Sequence, residues 1–176
     1  MTKNFNLSDS DFSDLTALIP YIRQIDTLEV KEALQLSRDI LQYQPFFLSV
    51  VFGYQTDLSL EEHDEVLRLY FLLWLYFKEQ NKLPSNPVTQ ANFEQTQKQL
   101  VQMLAYVQQE TEDSKQTIFS NDLKQIQSRA MVTALYYRFE TRPVLKKMNE
   151  EMKSLVIMGF CGFIKCFECN KLTIDS

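Results

Sequence analysis

Residues 66–77, VLRLYFLLWLYF, carry one charged side chain, Arg68. Twelve helical residues make more than three turns, so apolar side chains leave this segment in every direction. A helix of that kind has to be covered on all sides. A start signal stands just ahead of it. Ser59 and Glu62 have the spacing of a capping box, in which hydroxyl and carboxylate each take one orphan amide. Glu61, Asp64 and Glu65 add negative charge where the helix dipole favours it. The expectation is a central buried helix over 60–80, with the rest of the chain arranged as its cover. A bilayer span needs about 20 apolar residues; this run is shorter and none elsewhere is longer, so no membrane span is expected.

The 176 residues contain only three Gly and five Pro. Hairpins and phosphate-cradling loops depend on positive-φ positions that glycine supplies. Their scarcity, with 45% apolar residues, 13 Phe and 8 Tyr, points to an all-α single domain of about six or seven helices. Phe12, Leu15, Leu18 and Ile19 recur at helical spacing after Ser8, with Pro20 interrupting or kinking that helix. Asp26 and Glu29 read as a second capping box. Val30, Ala33, Leu34, Ser37, Ile40 and Leu41 then trace one face of a helix that ends near Pro45. PFFLSVVFGY reads as a short buried helix with proline in its first turn. NKLPSNPVT is a linker. A Gln-rich amphipathic helix follows from about Pro87 to Glu112, with Phe93, Leu100, Met103, Leu104 and Val107 inward. ETEDSKQTIFSN reads as a loop, and Asn121 as the cap of a helix carrying Leu123, Ile126, Ala130, Ala134 and Tyr137. Pro143 opens a long C-terminal helix over 144–168, and the last residues, NKLTIDS, read as a frayed end.

The net charge of −5 argues against non-specific nucleic-acid binding, which needs clustered Lys and Arg. The opening MTKNFNLSDSDF lacks the apolar stretch of a signal peptide. Three cysteines is an odd number and fits reduced thiols in a cytoplasmic protein.

Cys161, Cys166 and Cys169 form a C-x4-C-x2-C cluster. Thiolates at such spacing bind zinc or iron–sulfur clusters, but a fourth ligand is missing. The plainer reading, small buried apolar residues, is preferred, and no cofactor is expected. His63, the sole histidine, lies in EEHDE and reads as part of an exposed, dipole-complementary first turn. Arg142, Lys146 and Lys147 at the start of the last helix form a candidate anion site, set against a solvated charged face. Tyr70, Phe71, Trp74, Tyr76 and Phe77 read as core, with a ligand cavity between helices as the rival.

No P-loop, dinucleotide fingerprint, zincin or EF-hand pattern is present. The function expected by elimination is a non-enzymatic helical module that binds another protein or a second copy of itself. Two alternatives belong to other classes: a binder of an apolar small ligand, and a thiol or metal protein built on the C-terminal cysteines. LVIMGFCGFI, residues 155–164, is uncharged on both of its stripes. Phe160, Phe163 and Phe167 are therefore expected at an interaction surface buried by a second copy, with Gly159 and Gly162 allowing close approach.

Overall fold

A computed structural model of the chain describes residues 9–108 and 128–169, with side chains from 16 to 102 and from 128 to 169. Among the described residues there are eight α-helices and no strand. They are α1 (Asp9–Asp26), α2 (Val30–Tyr43), α3 (Pro45–Gly53), α4 (Leu60–Glu79), α5 (Gln90–Gln108), α6 (Arg129–Thr141), α7 (Pro143–Lys147) and α8 (Glu150–Cys169). A single 3-10 turn, Tyr54–Thr56, follows α3. The expectations for the loop at ETEDSKQTIFSN, the Asn121 cap and the frayed end fall outside the described residues. So do the side chains of Phe12, Leu15, Met103, Leu104 and Val107.

Helix α4 is the axis. Its start is the expected capping box: Ser59 Oγ accepts from the Glu62 amide at 3.3 Å, and Glu62 accepts from the Ser59 amide at 2.8 Å. Its end is a Schellman arrangement. Asn81, with φ 51°, donates to Lys78 O, and Lys82 donates back to Phe77 O. Asn is one of the few residues that tolerate this left-handed position. Every side chain from Leu69 to Phe77 is buried. The cover comes from α1 on one side, α7 and α8 on others, and α3 with its following turn.

Pro20 lies inside α1 without ending it. The capping box at the next junction is shifted from its expected place. Asp26 closes α1, and Glu29 precedes α2, where its amide donates to Glu32 at 2.9 Å. Asp26 is occupied elsewhere. A carboxylate at a helix C-terminus opposes the dipole, and here two guanidiniums offset it. Arg138 and Arg142 each donate to Asp26 Oδ1 at 2.8 Å and to Glu65 Oε2 at 3.3 Å. This four-membered network joins the ends of α1, α4 and α6. Arg68 adds a further link, donating to the carbonyl of Ile25 at 2.6 Å.

The stretch expected as one helix over 144–168 is divided. The α7 turn ends at Met148, whose ψ of 147° is extended. Asn149 Oδ1 then accepts from the Glu151 amide at 2.8 Å and so starts α8. Asn followed by two glutamates is itself a helix-start signal, outweighed in the pattern by the proline at 143.

The α8 face carries the aromatic core. Phe163 stands with its ring centroid 4.5 Å from Phe93 of α5 and 4.7 Å from Phe47 of α3. Phe167 lies 5.1 Å from Phe77, and Phe160 lies 5.8 Å from Tyr70 in an edge-to-face contact. Pairs at such distances add about 0.5–1.5 kcal/mol beyond their area burial.

Trp74 is fully buried, with Tyr43 stacked at 6.5 Å and Phe47 at the same distance. Trp74→Ala should therefore cost about 3–5 kcal/mol in a denaturant melt; a loss below about 1 kcal/mol would place the indole at the surface. Arg138 is 2% exposed, and removing one member of a buried ion network leaves charge uncompensated. Arg138→Ala should cost about 3 kcal/mol or more by the same melt, and a near-neutral result would mean that water already solvates the network.

Candidate functional site

The feature that the fold leaves unused is a face of α2. The sequence suggests one apolar stripe on this helix; the structure splits it in two. Ile40 is fully buried, and Ala33 and Leu36 pack against the core beside it. These three lie within an arc of about 60°, at 100° per residue. Val30, Leu34, Ser37 and Leu41 occupy another arc of about 60°, centred about 100° further round. Val30 is 79% exposed, Leu34 55% and Leu41 58%. The apolar surface of α2 is thus about twice as wide as the fold employs.

The reason is the position of α2 at the edge of the bundle. It packs chiefly on α3. It is pinned at its C-terminal end, where Asp39 accepts from Lys78 at 2.8 Å. The Gln44 side chain, next after the helix, accepts from the Val88 amide at 2.7 Å. The hydrogen bond from Lys78 holds the Asp39 carboxyl below its usual range, against a smaller upward push from burial. These contacts fix which face of α2 turns inward, and the Val30–Leu41 row is left outside.

The residues singled out from sequence fall as follows. Phe160, Phe163 and Phe167 are fully buried inside the single chain; they are core, and the expected interaction surface at these rings is corrected. Rings from α3, α4 and α5 supply the cover that was assigned to a second copy. The glycine gaps are filled from within as well. Gly159 lies beneath the hydroxyls of Tyr54 and Tyr70, and Gly162 beneath Gln97 and Phe93. Tyr54 donates to the carbonyl of Leu155 at 3.3 Å, and its hydroxyl is 3.2 Å from that of Tyr70. Burial pushes both phenols above their ordinary range. Gln97 donates to the carbonyl of Met158 at 2.8 Å.

His63 is buried, another correction. Its Nε2 lies 3.2 Å from the carbonyl of Val51, and its ring stacks on Phe52. Position 63 sits on the side of α4 that faces α3, whereas Glu61 and Asp64 point outward. Arg142 is engaged by Asp26 and Glu65. Lys146 and Lys147 are exposed, and Lys146 lies 3.7 Å from Glu140. These three do not converge on a common point, since Arg142 turns inward and the lysines turn out.

The cysteines sit on different parts of α8. Cys161 is half-buried, Cys166 buried and Cys169 exposed. Positions five residues apart diverge by about 140° around a helix, which separates Cys161 from Cys166. Cys166 Sγ lies 3.5 Å from Thr96 Oγ1, and burial pushes its thiol up despite that contact. A neutral, enclosed thiol is a poor nucleophile and a poor ligand. Among the described residues, no three His, Cys, Asp or Glu side chains are grouped so as to hold a metal ion. Tyr70, Phe71, Trp74, Tyr76 and Phe77 are all buried and belong to the packed aromatic core.

No protein-family model matches the chain, and no curated protein or solved structure matches it either. Among the described residues no helix is long and apolar enough to cross a membrane. Among the described residues the fold is a helical bundle with an exposed apolar row on α2.

The thiols give a direct check of these environments. Alkylation of the native protein near neutral pH, read by mass spectrometry, should modify Cys169 first and Cys166 last, because access and thiolate fraction both set the rate. Fast modification of Cys166 would mean that α5 and α8 do not pack as described.

Proposed function

We propose that the protein is a non-enzymatic helical module that binds another protein, using the exposed face of α2. A reducing compartment such as the cytoplasm suits three cysteines that form no disulfide. The observation that carries the reading is the aligned exposure of Val30, Leu34 and Leu41. Scattered surface leucines are ordinary, but an aligned apolar row rimmed by polar residues marks interaction surfaces. The row also has the a/d spacing of helix-in-groove and coiled-coil contacts. The Ala33–Leu36–Ile40 side holds α2 to the bundle, and the row lies outside those contacts.

That last point is testable without a partner in hand. Leu34→Gln keeps helix propensity nearly unchanged, and a surface substitution outside the fold's contacts changes stability by no more than about 0.5 kcal/mol. Ile40→Ala, on the buried face of the same helix, should cost about 2–5 kcal/mol. Paired denaturant melts check both. If Leu34→Gln costs 2 kcal/mol or more, the row is covered by the protein itself and the reading is lost.

A further inference from the structure

The edges of the α2 row are chemically unlike, and they say what kind of partner fits. Val30, Leu34, Ser37 and Leu41 are spaced four, three and four residues apart, the alternation of d and a positions in a heptad. On one border stand Ala33 and Ile40, which turn down into the core. On the other stand Lys31 and Arg38, seven residues apart and both exposed. Neither forms an ion pair among the described residues. The acidic side chains of α2 cannot neutralise that border. Glu32 and Asp39 lie on the far side of the helix, where Glu32 takes the Glu29 amide and Asp39 takes Lys78.

We propose that this face of α2 docks an amphipathic helix of a partner protein whose apolar row is bordered by Glu or Asp at seven-residue spacing. The inference rests on the interaction reading above and adds the chemistry of the partner. Flanking charges choose the partner and orientation of paired helices. A second copy of α2 is a poor match on the same grounds. Antiparallel pairing sets like borders together, so Lys31 and Arg38 of one chain meet Lys31 and Arg38 of the other. Parallel pairing sets them against Ala33 and Ile40, which are engaged in the partner's own core. An acidic border instead gives each cation a counter-charge. The chain's net charge of −5 opposes an acidic partner at long range, but salt screens such repulsion beyond about 8 Å at physiological ionic strength, whereas the bordering pairs act at contact.

The test uses the full-length protein and two labelled synthetic peptides of three heptads each. Both carry Leu at a and d; one has Glu at the flanking positions and the other has Lys. Fluorescence anisotropy at low and high salt measures binding. The Glu peptide should bind, with affinity falling as salt is raised, and the Lys peptide should bind at least about tenfold more weakly. The double variant Lys31→Glu/Arg38→Glu should reverse that order, and Leu34→Gln should weaken the Glu peptide by about tenfold. Equal binding of the two peptides, no reversal by the double variant, or no binding of the Glu peptide overturns the acidic partner. Light scattering separates the two levels of the argument. If the wild type self-associates and Leu34→Gln does not, the occupant is a second copy: the acidic partner falls while the interaction reading stands. If the peptides fail and Leu34→Gln also unfolds readily, both fall.

Discussion

The architecture depends on one requirement: a helix that is apolar on every side cannot meet water on any side. From Leu69 to Phe77, α4 presents no polar face, so the remaining helices have to surround it. Helix α8 meets the requirement with aromatic rings, because its own Phe160, Phe163 and Phe167 form a continuous ring cluster with α3, α4 and α5. Two apolar helices thus share one core, and the short α3 earns its place by supplying Phe47 between them. Helix α1 and α7 close the other sides.

Orientation comes from polar contacts at the margins of that core. Apolar burial is non-directional, and a bundle of smooth helices has many near-equivalent packings. The network of Arg138, Arg142, Asp26 and Glu65 pairs its four charges only where the ends of α1, α4 and α6 meet. The glycine gaps on α8 act similarly. Gly159 admits the Tyr54 and Tyr70 hydroxyls and Gly162 admits Gln97, so side chains from α3–α4 and from α5 fix the height of α8. Lys78 and Gln44 do the same for α2. That helix is held firmly by one side and one end, and its unused apolar face follows from that mounting. In the proposed role, a face fixed to a packed core would meet its partner without a large ordering cost.

The sequence by itself determined the all-α class, the buried central helix with its Ser59–Glu62 start, the proline-led α3 and the apolar stripe of the C-terminal phenylalanines. Each follows from local rules: periodicity, capping stereochemistry and the fixed φ of proline act over a few residues and need no knowledge of neighbours. Tertiary structure decided what covers each apolar surface. Phe160, Phe163 and Phe167 had to be covered by something, but whether by this chain or another depends on how far α3 and α5 reach. His63 and the α2 stripe follow the same logic in opposite directions. An acidic first turn suggests exposure, yet α3 lies over the histidine; six aligned residues suggest a single buried face, yet only the Ala33–Ile40 side meets the bundle. The Asp26 carboxylate shows the limit most clearly. Its spacing to Glu29 fits a cap, but Arg138 and Arg142, more than a hundred residues away, offer a charge-assisted pairing that a local amide cannot match.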